Sequence, residues 1–185
     1  MKKIYRVFAL FMVLAVGFSS CKKSKIDPNE VELITTVRLK FSNIAAGSAV
    51  PLIYEFKDLD GDGGAAPVKF DSIILQKNIA YSCEVSVLNE SVSPADDVTK
   101  EIVAEADDHQ FYFTPSPGSL VSISQLNTDS KQLPLGTTSF WSTTLNPSRG
   151  MVNVTLKHKP GIKAANDPIT KGETDISIDF KLIIQ

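Results

Sequence analysis

Alternating carboxylates at residues 58–64 form the first pattern in the sequence that could bind an ion. The segment Asp58-Leu59-Asp60-Gly61-Asp62-Gly63-Gly64 has carboxylates at positions 1, 3 and 5 and a glycine at position 6, as the opening of a calcium loop does. Position 12, where such loops supply a bidentate glutamate, is Lys69. Two interpretations follow: a weak calcium site at Asp58, Asp60 and Asp62, or a glycine-rich turn with solvated aspartates.

The two histidines of the chain, His109 and His158, provide a second candidate site. Glu105 precedes His109 by four residues, so both side chains could reach one ion from a helix, with Asp108 beside them. Imidazoles with a carboxylate suit zinc or copper, and two axial imidazoles could hold a haem. The alternative is structural: an acidic stripe is typically a solvated helix face, and a histidine at the end of an element is typically a cap or hydrogen-bond donor.

Other motifs are weaker. The tripeptide Asp71-Ser72-Ile73 resembles a short O-glycosylation signal of exported Bacteroidetes proteins, with Ser72 as the acceptor. No Gly-x-Ser-x-Gly, His-Glu-x-x-His or phosphate-loop motif occurs. With 19 basic and 21 acidic residues and no basic stripe, a nucleic-acid binder is not expected. We therefore predict a protein that is not an enzyme.

The elements that must position these residues are predicted from hydrophobic periodicity. Apolar and polar residues alternate over residues 31–41, 52–56, 79–87 and 174–184, which indicates half-buried strands. Further strands are expected at 110–114, 119–126, 138–145 and 150–158. The alternation over 150–158 directs His158 towards the core. The predicted fold is mainly β, an antiparallel β-sandwich, immunoglobulin-like or related, with one short α-helix.

The single helix is predicted at residues 94–108. Ser93 suits the N-cap position and Pro94 the first helical position, while Asp96 and Asp97 complement the positive end of the helix dipole. Val98, Ile102, Val103 and Ala106 would form the apolar face of this helix.

The first thirty residues are expected to be a leader and a tether. A basic start, a twelve-residue apolar run at 7–18 and small residues before Cys21 resemble the lipobox of a bacterial lipoprotein. We predict a signal peptide at 1–20, an acylated Cys21 with a polar tether at 21–30, and one domain at 31–185. Without the signal peptide the chain keeps 16 of its 19 basic residues against 21 acidic ones, a net charge of −5. Cys83 would then be the only free thiol, placed on the core face of a strand.

Six segments of the chain are distinctive in combination: residues 32–37 (ELITTV), 58–64 (DLDGDGG), 88–91 (LNES), 104–111 (AEADDHQF), 156–158 (LKH) and 172–176 (GETDI). Together they resemble a family of small Bacteroidetes outer-membrane lipoproteins of poorly defined function. The resemblance extends from about residue 30 to the C-terminus. It implies an association with TonB-dependent receptors and an accessory role in nutrient or metal uptake.

Lysines directly follow Cys21, whereas surface export in these bacteria usually requires acidic residues there. We therefore expect an outer-membrane anchor that faces the periplasm, in preference to surface display. The leading hypothesis is a non-enzymatic lipoprotein that binds a metal or metal-containing cargo through Glu105, Asp108, His109 and His158. The alternative is a structural or adhesive surface module with a calcium-braced loop at Asp58, Asp60 and Asp62.

Overall fold

The structure is a computed structural model that describes residues 33–45, 47, 50–61 and 63–185. The chain divides into two units, Met1–Glu30 and Val31–Gln185, and every described residue belongs to the second. Cys21 and Asp62, two of the predicted site residues, lie outside the described residues.

Within the described ranges the second unit has ten strands and one α-helix. The strands are β1 Thr36–Asn43, β2 Leu52–Lys57, β3 Lys69–Phe70, β4 Ile73–Leu75, β5 Ala80–Leu88, β6 His109–Ser116, β7 Val121–Ser124, β8 Thr138–Thr143, β9 Ser148–His158 and β10 Glu173–Ile184. The helix α1 is Val98–Ala104. The predicted mainly-β sandwich with one short helix is confirmed, and β3 and β4 are two short strands that periodicity did not predict.

The strands form two sheets. The six-stranded sheet has the order β3-β2-β1-β5-β8-β7, and the four-stranded sheet has the order β4-β10-β9-β6. Neighbouring strands are antiparallel, except that β4 pairs with β10 in parallel. The predicted antiparallel sandwich is therefore confirmed, with one parallel pair of strands at the β4 edge.

The core lies between the two sheets and is built by the predicted alternation. Val37, Leu39 and Phe41 of β1 are buried, and so are the inward residues of β10 from Ile178 to Ile184. Trp141 of the six-stranded sheet is fully buried and lies 5.6 Å, ring centre to ring centre, from Phe113 of the other sheet. Edge-to-face ring contacts of this kind join the two layers in addition to their apolar burial.

Cys83 is fully buried in β5, as its parity predicted. Burial raises the pKa of its thiol well above the usual range, so the neutral thiol packs as a small apolar side chain.

Helix α1 is shorter than predicted at both ends. Asn89 and Asp96 exchange backbone hydrogen bonds of 3.0 and 2.9 Å, which hold the residues before the helix in an extended bridge. The helix therefore begins at Val98, with Asp97 rather than Ser93 at the N-cap position. It ends at Ala104 because β6 starts only five residues later. Val98 and Ile102 are buried as expected, whereas Val103 is 52% exposed and does not belong to the apolar face.

Candidate metal centre

The pairing of β6 with β9 brings the two histidines together. His109 is the first residue of β6, and the antiparallel register places it directly opposite His158, the last residue of β9. Their rings are stacked, with centroids 4.6 Å apart and planes within 6° of parallel. Both residues are buried, with 1% and 6% of their surface exposed. His158 is therefore buried, and so is Lys157 of the opposite parity at 5% exposure.

Glu105 completes a group of three. It follows the last residue of helix α1, and one potential ligand atom from each of Glu105, His109 and His158 lies within 4.8 Å of the other two. Ligands of one tetrahedral zinc ion at about 2.0 Å lie about 3.3 Å apart. To close around an ion, the ligand atoms of this group would have to approach one another by up to about 1.5 Å through side-chain rotation.

The backbone carbonyl of Glu105 orients the His109 ring. Nδ1 of His109 lies 3.1 Å from that oxygen. Because a carbonyl can only accept, Nδ1 carries the proton of the neutral ring and Nε2 is the nitrogen with the lone pair. Such a bond to a carbonyl is the usual way in which a metal-binding imidazole is held in one tautomer.

Burial also sets the charge of this ring. Desolvation lowers the pKa of His109, the nearby His158 lowers it further, and the Glu105 carbonyl bond opposes both effects only in part. The imidazole is therefore neutral at pH 7, which is the form that binds a metal.

Asp108, the fourth predicted ligand, has a different role in the structure. Its Oδ1 accepts a hydrogen bond of 3.0 Å from the backbone N–H of Gly161. Its backbone carbonyl accepts one of 2.6 Å from the backbone N–H of Lys159. These bonds tie the residues before β6 to the turn after β9. Asp108 is not a member of the three-residue group, so the structure brings together three of the four predicted side chains.

Asp175 is a neighbour of this centre that sequence reasoning placed on an outward face. It lies in β10 at an irregularity of the β9–β10 register between Thr174 and Ile176, and Glu173 pairs with His158. Burial raises the pKa of Asp175 to about 6, an effect that the nearby His158 partly offsets. Its Oδ2 is buried and has no hydrogen-bond partner among the described residues. A bulge leaves no signal in the alternation of a sequence, so this position could not be predicted.

Buried lysines hold the loop between β9 and β10, and sequence reasoning missed them as well. Lys159 is fully buried, donates to Gln110 Oε1 at 3.0 Å and lies 3.7 Å from Asp167 Oδ2. Lys163 pairs with Asp129 at 2.8 Å, with side chains 1% and 0% exposed. Lysine in a polar loop is normally solvated, and only the long-range contacts with Gln110 and Asp129 explain its burial here.

The aspartate loop is closed by its own backbone. Asp58 Oδ1 accepts from the N–H of Gly61 at 3.2 Å, and Asp60 Oδ2 accepts from the N–H of Ala65 at 2.8 Å. The Ala65 bond lowers the pKa of Asp60, and a contact with Asp58 adds to the effect. These contacts are those of a turn that satisfies its carboxylates locally. Calcium binding by Asp58, Asp60 and Asp62 stays a prediction.

Ser72, the predicted glycosylation acceptor, is half-buried between Asp71 and the fully buried Ile73. Asp71 Oδ2 accepts a hydrogen bond of 2.9 Å from the backbone N–H of Glu55. Two of the three motif residues thus serve the fold, and modification of Ser72 stays a prediction.

Comparison of the chain with protein-family models, curated proteins and solved structures gives no match. Within the described ranges, no helix is long and apolar enough to cross a membrane.

Proposed function

We propose that this chain is a non-enzymatic cell-envelope lipoprotein that binds a transition-metal ion, as an accessory to a TonB-dependent uptake receptor. The lipobox-like segment at Cys21 supports the anchor, and the family resemblance supports the uptake role. The proposal of metal binding rests on the proximity of ligand atoms from Glu105, His109 and His158, which lie within 4.8 Å of one another, and on the burial of both imidazoles.

The geometry favours a small ion over haem. Two axial imidazoles approach a haem iron from opposite faces of the porphyrin, so their rings cannot stack on each other. His109 and His158 are stacked at 4.6 Å on neighbouring strands. A zinc or copper ion can bind at one edge of this stack once side-chain rotations tilt the two rings so that both ring planes point at the ion.

The ligand set also fits a role in transfer. Two neutral imidazoles and one carboxylate suit zinc or copper(II). Structural zinc sites usually have four protein ligands, whereas a site with three leaves one position for water or an incoming ligand. An open position allows a partner to take the ion, as delivery to a receptor requires.

Calorimetry with zinc and copper tests the proposal on the chain from Lys22 onward, purified without chelator. We expect one stoichiometric site in the wild-type protein and none in a His109→Ala/His158→Ala double variant. Glu105→Gln should weaken binding about tenfold, a loss of about 1.4 kcal/mol.

Asp108→Asn is the matched control because Asp108 is the adjacent acid outside the group, and its amide oxygen can still accept from Gly161. Its affinity should equal that of the wild type. Melting temperatures measured without metal establish that each variant is folded. Equal metal affinity in the double variant and the wild type would refute the site.

Co-purification of the acylated protein with a TonB-dependent receptor from outer membranes tests the uptake role separately. If metal binds but no such receptor is recovered, the metal site stands and the assignment to uptake fails.

A further inference from the structure

A cleft lies where the segment between β2 and β4, which includes the short strand β3, faces strand β10. It consists of two adjoining pockets of about 770 and 490 Å³. Phe56, Asp58, Ser177 and Ile178 line both pockets, so the two form one continuous depression. Its combined size is within the range of small-molecule sites.

An exposed aromatic ring forms part of its wall. Phe70 is 52% exposed although its ring meets Phe56 and Phe180 edge-to-face, at centroid distances of 5.1 and 5.6 Å. Phe180 is fully buried, so the exposed ring is fixed by a rigid neighbour. A fixed and exposed ring presents an apolar surface without a large entropic cost of ordering.

The charges around the cleft are mainly negative. The acidic residues that line it are Asp58, Asp71, Asp175 and Asp179, and the basic one is Lys181. Asp58 is only 8% exposed, and Asp175 Oδ2 is buried without a hydrogen-bond partner among the described residues. Carboxylates withdrawn from water are stabilised by a cation that enters with the ligand.

We propose that this cleft binds a small organic cation, a primary ammonium or guanidinium group carried on an apolar body. The apolar body packs on Phe56 and Phe70, and the cationic group lies between the carboxylates of Asp58 and Asp175. The same arrangement repels anions. A bare metal ion would leave the aromatic wall uncovered, and an uncharged ligand would leave the buried Oδ2 of Asp175 without a partner.

Two probes of nearly the same shape separate charge from apolar contact. 2-Phenylethylamine is a cation at pH 7, and 2-phenylethanol has the same body without the charge. Binding to the chain from Lys22 onward, followed by calorimetry and by NMR shifts, should be at least about tenfold tighter for the amine, as expected for one charge-assisted contact. Higher NaCl should reduce this preference. Equal affinity for the two probes would overturn the proposal.

Variants locate the site. Phe70→Ala should weaken both probes, whereas Asp58→Asn should remove the preference for the amine and leave the affinity for the alcohol unchanged. Glu84→Gln, an exposed acid of β5 that does not line the cleft, is the control and should change neither. Unchanged amine affinity in both Phe70→Ala and Asp58→Asn would place binding elsewhere and refute the cleft.

The His109→Ala/His158→Ala variant distinguishes this inference from the metal proposal. It should lose zinc and keep the amine. Loss of the amine in that variant, with its melting temperature unchanged, would assign amine binding to the histidines and overturn the inference.

Discussion

The histidine centre and the aspartate loop both contain side chains that can bind metal ions, yet the surroundings of these side chains differ. At the centre, His109 and His158 are placed by strand register, and the buried Lys163–Asp129 pair is tied to Ala106, the residue after Glu105, by a bond from Lys163 Nζ to its carbonyl. In the loop, the described carboxylates of Asp58 and Asp60 are bonded to the backbone of their own turn. Ligand residues therefore converge where strand pairing between distant segments fixes their positions. In the local turn, the carboxylate oxygens already accept hydrogen bonds from backbone N–H groups of the same turn.

The same difference should govern stability. The buried side chains of Lys163 and Asp129 have each other as partners, so a substitution of either leaves a charged group without compensation. Asp60 of the aspartate loop is exposed, and water can replace a lost contact there. Substitutions in the two regions test this contrast.

The largest effect is expected at the Lys163–Asp129 pair. Asp129→Asn removes a charge with 0% side-chain exposure and leaves the Lys163 ammonium buried without its counter-ion. A loss of about 3–5 kcal/mol in the free energy of unfolding is expected, as for other buried pairs that lose one partner. Chemical denaturation measures it.

The matched control is Glu84→Gln in the surface pair with Lys40, whose side chains are 53% and 40% exposed. Its cost should stay below about 1 kcal/mol because solvent screens that pair. Similar losses in the two variants would contradict the contrast between buried and exposed pairing.

Two glycines give a sharper comparison between the regions, since both have positive φ. Gly172 has φ +83°, and a Cβ there would lie 2.4 Å from the carbonyl oxygen of His158. Gly61, in the aspartate loop, has φ +78° and an open surrounding. Gly61→Ala should cost about 1 kcal/mol from backbone conformation alone. Gly172→Ala should cost about 2–4 kcal/mol, because steric overlap adds about 1–3 kcal/mol.

Thermal and chemical unfolding of both variants measure the difference. The contrast fails if Gly61→Ala is the more damaging substitution, since that would mean that the aspartate loop carries a constraint that its open surroundings do not explain.

The alternation of apolar and polar residues predicts some features of this fold and not others. Period-two alternation predicted the eight longer strands and the inward direction of His158, because burial on one face imposes that period locally. It could not predict that β6 pairs with β9, since β7 and β8 intervene in the chain and join the other sheet. From the sequence alone, the proximity of Glu105, His109 and His158 is therefore only a hypothesis, and the strand register brings the two histidines together.

Other features have no local signature. Lys159 and Lys163 are typical surface residues by type, and their burial depends on partners such as Gln110 and Asp129 from distant segments. The bulge beside Asp175 likewise interrupts an alternation that the sequence presents as regular. Residues of this kind are identified only by the contacts that tertiary structure provides.

The smallest expected effect is that of calcium on the melting temperature. A calcium site at tenfold excess of free ion over Kd would stabilise the fold by about 1.4 kcal/mol, or about 3–6 °C for a chain of this size. Because Asp58 and Asp60 already accept bonds from Gly61 and Ala65, an entering ion would have to displace them. We expect no change beyond that seen with magnesium at equal ionic strength. A calcium-specific rise that disappears in Asp60→Asn would instead show that the loop exchanges its backbone bonds for an ion, and would favour the structural module.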